Sequence, residues 1–304
     1  MKIIAVIVTY NRLLLLQKCI AALKAQTRPV DAILVVNNSS TDGTEEWLTA
    51  TGTDFITQAN HGGAAGFNEG LKQAYYRGAD WTWLMDDDTI PYPDALKYLA
   101  HCYERCHSNG LQVGFYASLV LWTNGQPHLM NETSPYKGAF LEPYSNLPED
   151  QPCQLITGAT FVSILIARVA VEKVGLPIKE FFIWSDDMEY TRRIVQTGLL
   201  GVLVKDSIAI HETPTNYKND IFEDGPENLW KYGYGLRNEL YIRRHYKGEF
   251  SFWRNVAKRL FILPVTVLRK RKKHKWKFIK VIWRSSLAAI HFRPPVEKLP
   301  SKEP

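Results

Sequence analysis

Trp81-Thr82-Trp83-Leu84-Met85 leads directly into Asp86-Asp87-Asp88. The apolar and β-forming residues before the carboxylates predict a buried strand that ends where the charges begin. Three adjacent carboxylates repel one another, and burying them costs hydration unless a cation neutralises their charge. Because α/β sheets bind ligands at the carboxyl ends of their strands, this pattern favours a divalent metal bound to phosphate. The alternative is a solvated acidic turn.

The first half of the chain alternates between strand and helix patterns. In order, we predict strand Lys2–Thr9, helix Leu13–Ala25, strand Ala32–Asn37, helix Thr44–Ala50, strand Asp54–Gln58, helix Gly63–Arg77 and strand Trp81–Met85. Alternation at this spacing predicts a parallel sheet with helices on both faces. The polar residues that follow each strand are therefore expected to gather at one edge of the sheet.

The second half has a different rhythm. Strands are predicted over Phe115–Trp122 and Leu155–Leu165, separated by a loop, Thr123–Pro152, that is rich in Pro, Gly, Asn and Tyr. A loop of this length inside a compact domain is usually functional. Helices are predicted over Asp187–Thr197 and Glu227–Tyr246.

Composition places the chain among intracellular globular proteins. With 304 residues and 45% hydrophobic content, it can bury a sizeable core without repeats or disulfides. The four cysteines are few for this length and favour a reducing compartment. We find neither a signal peptide nor a membrane-spanning stretch, since the apolar run Leu155–Ala167 is too short. We therefore expect a cytosolic protein.

Charge is unevenly distributed along the chain. Ser251–Arg293 contains thirteen Lys or Arg and no Asp or Glu, although the net charge of the whole chain is only +6. Residues 1–250 are correspondingly acidic. The sequence thus predicts an acidic body followed by a strongly basic tail.

Three further features point to ligand chemistry. Asp186-Asp187-Met188-Glu189 follows an aromatic segment that ends at Trp184, a combination that suits a sugar, because rings stack on its C–H faces and a carboxylate accepts a hydroxyl proton. The alternative is a helix N-terminus favoured by the macrodipole. His211 follows a short strand and is either a further ligand or a structural histidine. Gly62–Gly66 joins a strand to a helix, which suits close approach to a phosphate or sugar.

Together and in this order, these segments resemble glycosyltransferase family 2, and most of all its bacterial galactofuranosyltransferases and rhamnosyltransferases. The resemblance covers roughly residues 1–245 and rests on Val8–Arg12, Val35–Thr44, Asn60–Asn68, Trp83–Asp88, Trp184–Glu189 and His211. It implies an α/β protein with the A-type glycosyltransferase fold, in which a Rossmann-like central sheet is followed by C-terminal helices. The implied organisation is a catalytic domain over residues 1–245 and a basic amphipathic helical tail over residues 246–304.

The resemblance also implies roles for individual residues. Asp187 would be the catalytic base, and Mn²⁺ or Mg²⁺ would be held by Asp86, Asp88 and His211. Trp184 and Asp186 would contact the sugar or acceptor. The nucleotide would be bound by Thr9, Tyr10, Arg12, Asn37, Gly62, Asn68 and Asp87. Asn37 stands where many relatives carry an Asp, so the contact to the base is altered here.

The implied activity is inverting, metal-dependent transfer of a sugar from a nucleotide donor to a glycan or lipid-linked acceptor. UDP-galactofuranose is the favoured donor, and the setting would be assembly of bacterial surface polysaccharide such as O-antigen or capsule. The alternatives are a rhamnosyltransferase that uses dTDP-rhamnose and a non-catalytic sugar-binding or scaffold protein. A nucleotidyltransferase is disfavoured, since no basic Gly-rich signature occurs early in the chain.

The basic tail lies largely outside the resemblance. Its apolar stripe at helical spacing comprises Trp276, Ile279, Ile282, Trp283, Leu287 and Ile290, and the adjacent basic stripe comprises Lys273, Lys277, Lys280 and Arg284. A basic amphipathic helix with Trp at its edge suits an anionic membrane surface, which would hold the protein at the inner face of the cell membrane. The alternative is a helix packed on the catalytic domain. Nucleic acid is disfavoured by the acidic body.

Overall fold

The computed structural model describes residues 1–136, 147 and 152–300. Its strands are β1 (Ile3–Thr9), β2 (Ala32–Asn37), β3 (Asp54–Thr57), β4 (Trp81–Asp86), β5 (Thr89–Pro91), β6 (Val113–Leu121), β7 (Ser134–Pro135), β8 (Cys153–Gly158), β9 (Ile164–Ala167) and β10 (Leu200–His211). Its α-helices are α1 (Leu13–Lys24), α2 (Thr44–Ala50), α3 (Gly63–Tyr76), α4 (Ala95–Ser108), α5 (Arg168–Val174), α6 (Asp186–Val195), α7 (Leu229–Ala257), α8 (Leu263–Lys270) and α9 (Lys275–His291). Single turns lie at Lys179–Phe181, Pro226–Asn228 and Lys258–Ile262.

The strands form one mixed sheet in the order β3-β2-β1-β4-β9-β6-β10-β8-β7, and β5 pairs with β10 beside this path. The first four strands of the chain pair in parallel, with β1 between β2 and β4. Their carboxyl ends therefore meet at the same edge. Antiparallel pairing enters where β9 lies between β4 and β6, and where β8 and β5 pair with β10.

The first half of the chain folds as its periodicity predicts. β2 and α2 have the predicted bounds, and the remaining elements up to β4 differ from the prediction by one residue at an end. All of β1 is buried, and β4 is buried up to its final residue. Continuous burial of this kind is typical of a parallel strand covered on both faces.

The prediction of one strand over Leu155–Leu165 was wrong. The structure divides this run into β8 and β9, and Ser163 between them adopts a left-handed conformation with φ 58°. The two strands have different partners, since β8 pairs with β10 whereas β9 pairs with β4 and β6. A buried apolar run can thus contain a turn between two strands. Its apolar pattern shows that the residues are buried, but it does not show which strands they pair with. The loop predicted over Thr123–Pro152 lies partly outside the described residues.

Two glycines of α3 bring this helix close to the sheet. A β-carbon at Gly66 would overlap the side chain of Val8, and one at Gly70 would overlap that of Val6. The helix can therefore lie directly on β1 only because both positions lack a side chain. This close packing explains part of the glycine-rich segment without any ligand.

The chain forms two compact units. The first comprises Met1–Lys179, Asp187–Tyr217 and the residues from Val296 on, and the second comprises Glu180–Asp186 and Lys218–Pro295. The boundary predicted at residue 245 falls inside α7, which continues to Ala257 with a break at Gly248, where φ is 78°. The predicted division of function between residues 1–245 and 246–304 stays a prediction.

The second unit uses part of the predicted tail as its core. Phe278, Ile279 and Ile282 of α9 are buried with Tyr232 and Leu236 of α7. The prediction that Ile279 and Ile282 share one apolar stripe with Trp276 was therefore wrong, because Trp276 is exposed. The helical spacing of these apolar residues suggested a single stripe. In the structure α9 is apolar on two sides, one buried at Ile279 and Ile282 and one exposed at Trp276.

The residues after Pro295 return to the first unit. The backbone N–H of Leu176 donates to the carbonyl oxygen of Glu297 at 2.9 Å, and Lys72 Nζ lies 2.9 Å from the carboxylate of Glu297. Gly175, with φ 76°, leaves room for this segment, because a β-carbon there would overlap the backbone of Glu297. Among the helices within the described ranges, we find none with the length and apolar character needed to cross a membrane.

Candidate active site

The acidic residues after β4 are held by groups at the end of β1. Thr9 Oγ1 donates to Asp87 Oδ2 at 2.8 Å, and Arg12 Nη1 lies 2.6 Å from Asp88 Oδ2 and 3.3 Å from Asp87 Oδ1. Asp87 and Asp88 are only 4% and 3% exposed. The alternative of a solvated acidic turn therefore does not hold for Asp87 and Asp88. These two buried carboxylates share one guanidinium, a charge-assisted contact that offsets part of their repulsion.

His211 completes a cluster at this edge of the sheet. It ends β10 opposite Thr89, and its Nε2 lies 3.1 Å from Asp88 Oδ1. Asp86, Asp88 and His211 each offer a ligand atom, and these atoms all lie within 4.8 Å of one another. Buried Asp88 Oδ1 accepts no well-aligned hydrogen bond from any described residue. Two carboxylates and an imidazole at this spacing fit a divalent cation with oxygen and nitrogen ligands.

A network behind His211 fixes which ring nitrogen faces the cluster. Asn131 Nδ2 donates to Thr160 Oγ1 at 2.8 Å, so its Oδ1 is the acceptor that lies 2.8 Å from His211 Nδ1. We therefore assign a proton to Nδ1, and Nε2 is the ring nitrogen that faces Asp88. An outer hydrogen bond of this kind orients metal-binding histidines. The sequence analysis missed Asn131, whose only signal is its place in the long loop.

His128 packs against His211, with the ring centroids 4.5 Å apart. Its Nδ1 accepts the backbone N–H of Met130 at 3.2 Å, so its Nε2 carries the proton and donates to Thr213 Oγ1 at 2.9 Å. Burial and the neighbouring charge of His211 lower the pKa of His128 to about 4. His128 therefore stays neutral and adds no positive charge beside the cluster. The sequence analysis missed it as well.

The two buried carboxylates titrate differently. Burial raises the pKa of Asp87 to about 6, although Arg12 opposes the shift. Burial also acts to raise the pKa of Asp88, but His211 and Arg12 beside it outweigh burial and lower the pKa. Asp88 is thus the more firmly ionised of the two, as a metal ligand must be.

The remaining nucleotide residues predicted on β1 and β2 lie at the same edge. Tyr10 follows β1 and is about half exposed. Asn37 ends β2 and is buried, where its Oδ1 accepts the backbone N–H of Ser40 at 3.0 Å. Its Nδ2 lies 3.3 Å from Thr57 Oγ1 and 3.4 Å from Glu45 Oε2. The amide of Asn37 is therefore engaged in holding the loop after β2.

The glycine-rich segment divides into different local roles. Gly62 has φ 86° and precedes α3, and its backbone N–H donates to Asn60 Oδ1 at 3.0 Å. Asn68 is buried one turn further along and donates to the carbonyl oxygen of Pro177 at 2.7 Å. Asn68 therefore ties α3 to a neighbouring loop through one of its amide protons.

Asp187 lies in the first turn of α6, where its Oδ1 accepts the backbone N–H of Met188 at 2.6 Å. Burial raises the pKa of Asp187 to about 6, although backbone hydrogen bonds act to lower it. A carboxylate with this pKa is ionised at neutral pH and holds a proton more readily than an exposed one. These are the properties of a general base. Asp186, next to it, is buried.

The segment before α6 is strained, and α7 of the same unit holds it. Phe182, Trp184 and Ser185 all have positive φ, between 65° and 71°, a conformation that costs energy for residues other than glycine. Asn238 of α7 is fully buried and its Nδ2 lies 2.9–3.1 Å from the carbonyl oxygens of Phe181, Ile183 and Trp184. This amide clamp offsets the strain. Sequence reasoning missed Asn238, which carries no motif.

The aromatic side chains of this segment rest on α7. The ring of Phe182 stacks on that of Tyr234 with centroids 4.5 Å apart, and Trp184 meets Tyr232 edge to face at 5.2 Å. Gly235 lies beneath Trp184, where a β-carbon would overlap the indole. The predicted sugar-site residue Trp184 is thus partly exposed and fixed on its inner side.

Comparison with known proteins identifies a family, a related protein and two solved structures. A family model described as Glycosyl transferase family 2 matches residues 4–174. The galactofuranosyltransferase GlfT1 of Mycolicibacterium smegmatis is 29% identical over 212 residues, which is 64% of this chain and 66% of that protein, slightly under two thirds. The crystal structure of GalNAc-T7 with UDP, GalNAc and Mn²⁺ has a TM-score of 0.61 at 12% identity, over 98% of this chain and 55% of that chain.

A second solved structure has the same architecture. The crystal structure of S. aureus TarS 1-349 in complex with UDP has a TM-score of 0.55 at 14% identity, over 95% of this chain and 83% of that chain. At these identities the structural likeness establishes the fold alone. The α/β fold class predicted from the sequence, a glycosyltransferase sheet followed by C-terminal helices, is confirmed.

Proposed function

Since residues 4–174 are more than half of its length, the chain belongs to glycosyl transferase family 2, and we propose that it is an inverting, metal-dependent transferase. It would move a sugar from a nucleotide donor to a glycan or lipid-linked acceptor. The observation that carries the proposal is the cluster of Asp86, Asp88 and His211, beside Arg12 and at the carboxyl end of the sheet. The same proposal puts the enzyme at the inner face of the cell membrane during assembly of surface polysaccharide.

The donor side of the reaction would be built on the end of β1. Thr9 and Arg12 hold the acidic segment in place, and Tyr10 is exposed beside them, which suits stacking against a pyrimidine. When bound by Asp86, Asp88 and His211, Mn²⁺ or Mg²⁺ would neutralise the charge that develops on the leaving nucleoside diphosphate. Asp87 would set the position of Arg12 rather than bind the cation. Asn37, Gly62 and Asn68 would shape the nucleotide side through the loops they hold.

The acceptor side would rely on Asp187. Its carboxylate would take the proton from the acceptor hydroxyl as that oxygen attacks the anomeric carbon from the face opposite the leaving diphosphate. A single displacement of this kind inverts the configuration at that carbon. Trp184 would contact the sugar, and Asp186 would contact the acceptor. The raised pKa of Asp187, which burial causes, supports this assignment because a better base accepts the proton more readily.

Galactofuranose is our proposed donor sugar. Its support is the similarity to a protein named galactofuranosyltransferase, at 29% identity over 64% of this chain, and the UDP in the structure of S. aureus TarS, whose fold is alike. L-Rhamnose from dTDP-rhamnose is the alternative that the sequence leaves open.

Competition between nucleotides tests the donor. We expect UDP to inhibit donor hydrolysis more strongly than dTDP, with an inhibitory concentration at least ~10-fold lower. The reason is that a site shaped for uracil does not accommodate the methyl group of thymine. The measurement is hydrolysis of a nucleotide-sugar panel followed by mass spectrometry, in Mn²⁺. Preference for dTDP would remove galactofuranose in favour of rhamnose. Absence of turnover across the panel would favour the non-catalytic sugar-binding alternative.

Asn238 gives a second test, of how the aromatic segment is positioned. Asn238→Asp keeps the size of the side chain but replaces the donating amide with a carboxylate oxygen that repels the three carbonyl groups. We expect turnover to fall by ~10–10²-fold, because a small displacement of positioned groups is costly to rate. Affinity for UDP should stay within a few-fold, because the nucleotide residues lie on other elements.

Asn255→Asp on the same helix is the matched control. Asn255 Nδ2 donates to the carbonyl oxygen of Ser251 at 2.8 Å, so its replacement removes a similar hydrogen bond away from the strained segment. Melting temperature is recorded for both variants. A loss of turnover that merely matches the loss of folded protein would show that Asn238 stabilises the fold and does not position the segment.

A further inference from the structure

The outward face of α9 is apolar along its centre. Trp276 is 69% exposed, and Trp283 and Leu287 are also exposed on the same side of the helix. Residues at these spacings lie within one narrow stripe, because they follow one another by one or two helical turns. Phe278 and Ile282 point the other way, into the core of the second unit.

A second exposed apolar set adjoins this stripe. Phe261 is 72% exposed, and Ile262, Val265 and Leu268 are exposed with it along the turn Lys258–Ile262 and α8. Trp283 Nε1 donates to the carbonyl oxygen of Leu260 at 2.9 Å, so the two sets meet at that turn. Exposed apolar residues are usually scattered singly over a protein surface. A contiguous group such as this one marks an interaction surface.

The charged residues on the helices that form this surface are all positive. The exposed basic residues are Lys258, Arg269, Lys270, Lys272, Lys273, Lys277, Lys280 and Arg284. Ser251–Arg293 has no acidic residue, and none of these eight forms an ion pair with any residue in the described part of the chain. By contrast, Arg271 is buried and its guanidinium donates to the carbonyl oxygens of Ile221 and Asp224. Arg271 is therefore structural and is not part of the basic surface.

We propose that this surface, which we call the α8–α9 face, docks on an anionic lipid bilayer. Aromatic and aliphatic side chains would enter the boundary between headgroups and acyl chains, and the flanking cations would contact anionic headgroups. The aliphatic members favour lipid over nucleic acid, because Ile262, Val265, Leu268 and Leu287 have no counterpart in phosphate binding or base stacking. The proposal does not rest on the enzymatic function, since docking requires no donor.

Charge reversal tests the electrostatic part. The full chain is sedimented with vesicles of phosphatidylcholine, with or without phosphatidylglycerol, at low and high salt. We expect binding to the anionic vesicles at low salt, and a loss of at least ~10-fold in the triple variant Lys277→Glu, Lys280→Glu and Arg284→Glu. The matched control reverses three exposed lysines of the first unit, Lys24, Lys173 and Lys205, and changes net charge equally. We expect the control to bind nearly as wild type.

Polar substitution tests the apolar part. Phe261→Gln with Trp276→Gln is expected to weaken binding to anionic vesicles by ~10-fold and to remove the fraction that survives high salt. The matched control, Tyr76→Gln with Val169→Gln, alters two exposed residues of the first unit and should have no effect. Trp283 is left intact because its indole bonds to the turn. Melting temperature and donor hydrolysis are measured on every variant, so that loss of folding or of activity is separated from loss of docking.

Three results would overturn the proposal. The wild-type chain could remain in the supernatant with anionic vesicles at low salt. The control charge reversal could weaken binding as much as the reversal on the α8–α9 face, which would show that binding depends on net charge and not on this face. A DNA duplex could bind as tightly as the vesicles, with the Phe261 and Trp276 substitutions having no effect on either, which would make the surface a general polyanion site.

Discussion

Replacement of Asp187 by Asn is expected to lower turnover by ~10²–10⁴-fold and to leave the affinity for UDP within a few-fold of wild type. Asn has nearly the shape of Asp and still accepts the backbone N–H that Asp187 receives from Met188, but it cannot take a proton from the acceptor. The nucleotide residues lie on other elements and keep their contacts. Turnover is measured with saturating donor and acceptor, and affinity by calorimetry.

Two further variants locate the base. Asp186→Asn changes the adjacent carboxylate, and Asp206→Asn changes an acidic residue in β10 with no proposed role. We expect a small effect from the first and none from the second. Near wild-type turnover in Asp187→Asn together with a large loss in Asp186→Asn would transfer the role of base to Asp186.

The pH dependence gives an independent reading of Asp187. Because burial raises its pKa to about 6, the carboxylate is protonated below that pH and cannot accept the acceptor proton. We expect turnover of the wild type to fall about tenfold per pH unit below pH 6 and to level off above it. The residual turnover of Asp187→Asn should lack this inflection. If the inflection remains in that variant, it belongs to a different group, and Asp87 is the first candidate because its pKa is also about 6.

Removal of Asp88 is expected to abolish the Mn²⁺-dependent part of UDP binding. Asp88 contributes a buried oxygen to the cluster with Asp86 and His211, and its lowered pKa keeps it ionised. Without it, the charge of the diphosphate is left uncompensated, so the increase in affinity that Mn²⁺ provides should fall by at least ~10²-fold. Calorimetry of UDP with and without Mn²⁺ measures this increase for Asp88→Ala and wild type.

Asp88→Asn separates the two roles of this residue. Asn still offers an oxygen to Arg12, which lies 2.6 Å from Asp88 Oδ2, but it does not supply a charged ligand. It should resemble Asp88→Ala if metal binding is what matters. His211→Ala should act in the same direction and less strongly, and Asp206→Asn should have no effect. Equal affinity of the wild type for UDP in both conditions would refute the metal site.

The sequence predicted the first half of the fold because its signals there are local. Strands and helices up to Asp86 alternate with a clear period, and parallel pairing follows from that alternation. The division of Leu155–Leu165 into two strands depends on their different partners in the sheet. No local pattern records those partners, since both halves of the run are apolar and buried.

The candidate site divides in the same way. Asp86, Asp88 and Asp187 lie in recognisable acidic motifs, so the sequence alone identified them as candidate site residues. Asn131 and Asn238 do not, because each acts through a hydrogen bond to a residue far along the chain, 80 positions away for Asn131 and 54–57 for Asn238. No local sequence pattern predicts the distant hydrogen-bond partner of an asparagine in a loop or on a helix. The residues that hold the site are thus harder to predict than those that form it.

The return of the chain after Pro295 bears on how the protein matures during synthesis. Lys298 Nζ donates to the carbonyl oxygen of Lys173 at 3.1 Å across 125 positions, and Tyr75 Oη lies 3.4 Å from the carbonyl oxygen of Pro300 across 225. A nascent chain grows from its N-terminus, so the first unit lacks these contacts until the second has left the ribosome. Unfinished chains would therefore leave exposed the backbone of Gly175 and Leu176, which Glu297 contacts once the chain is complete to that point.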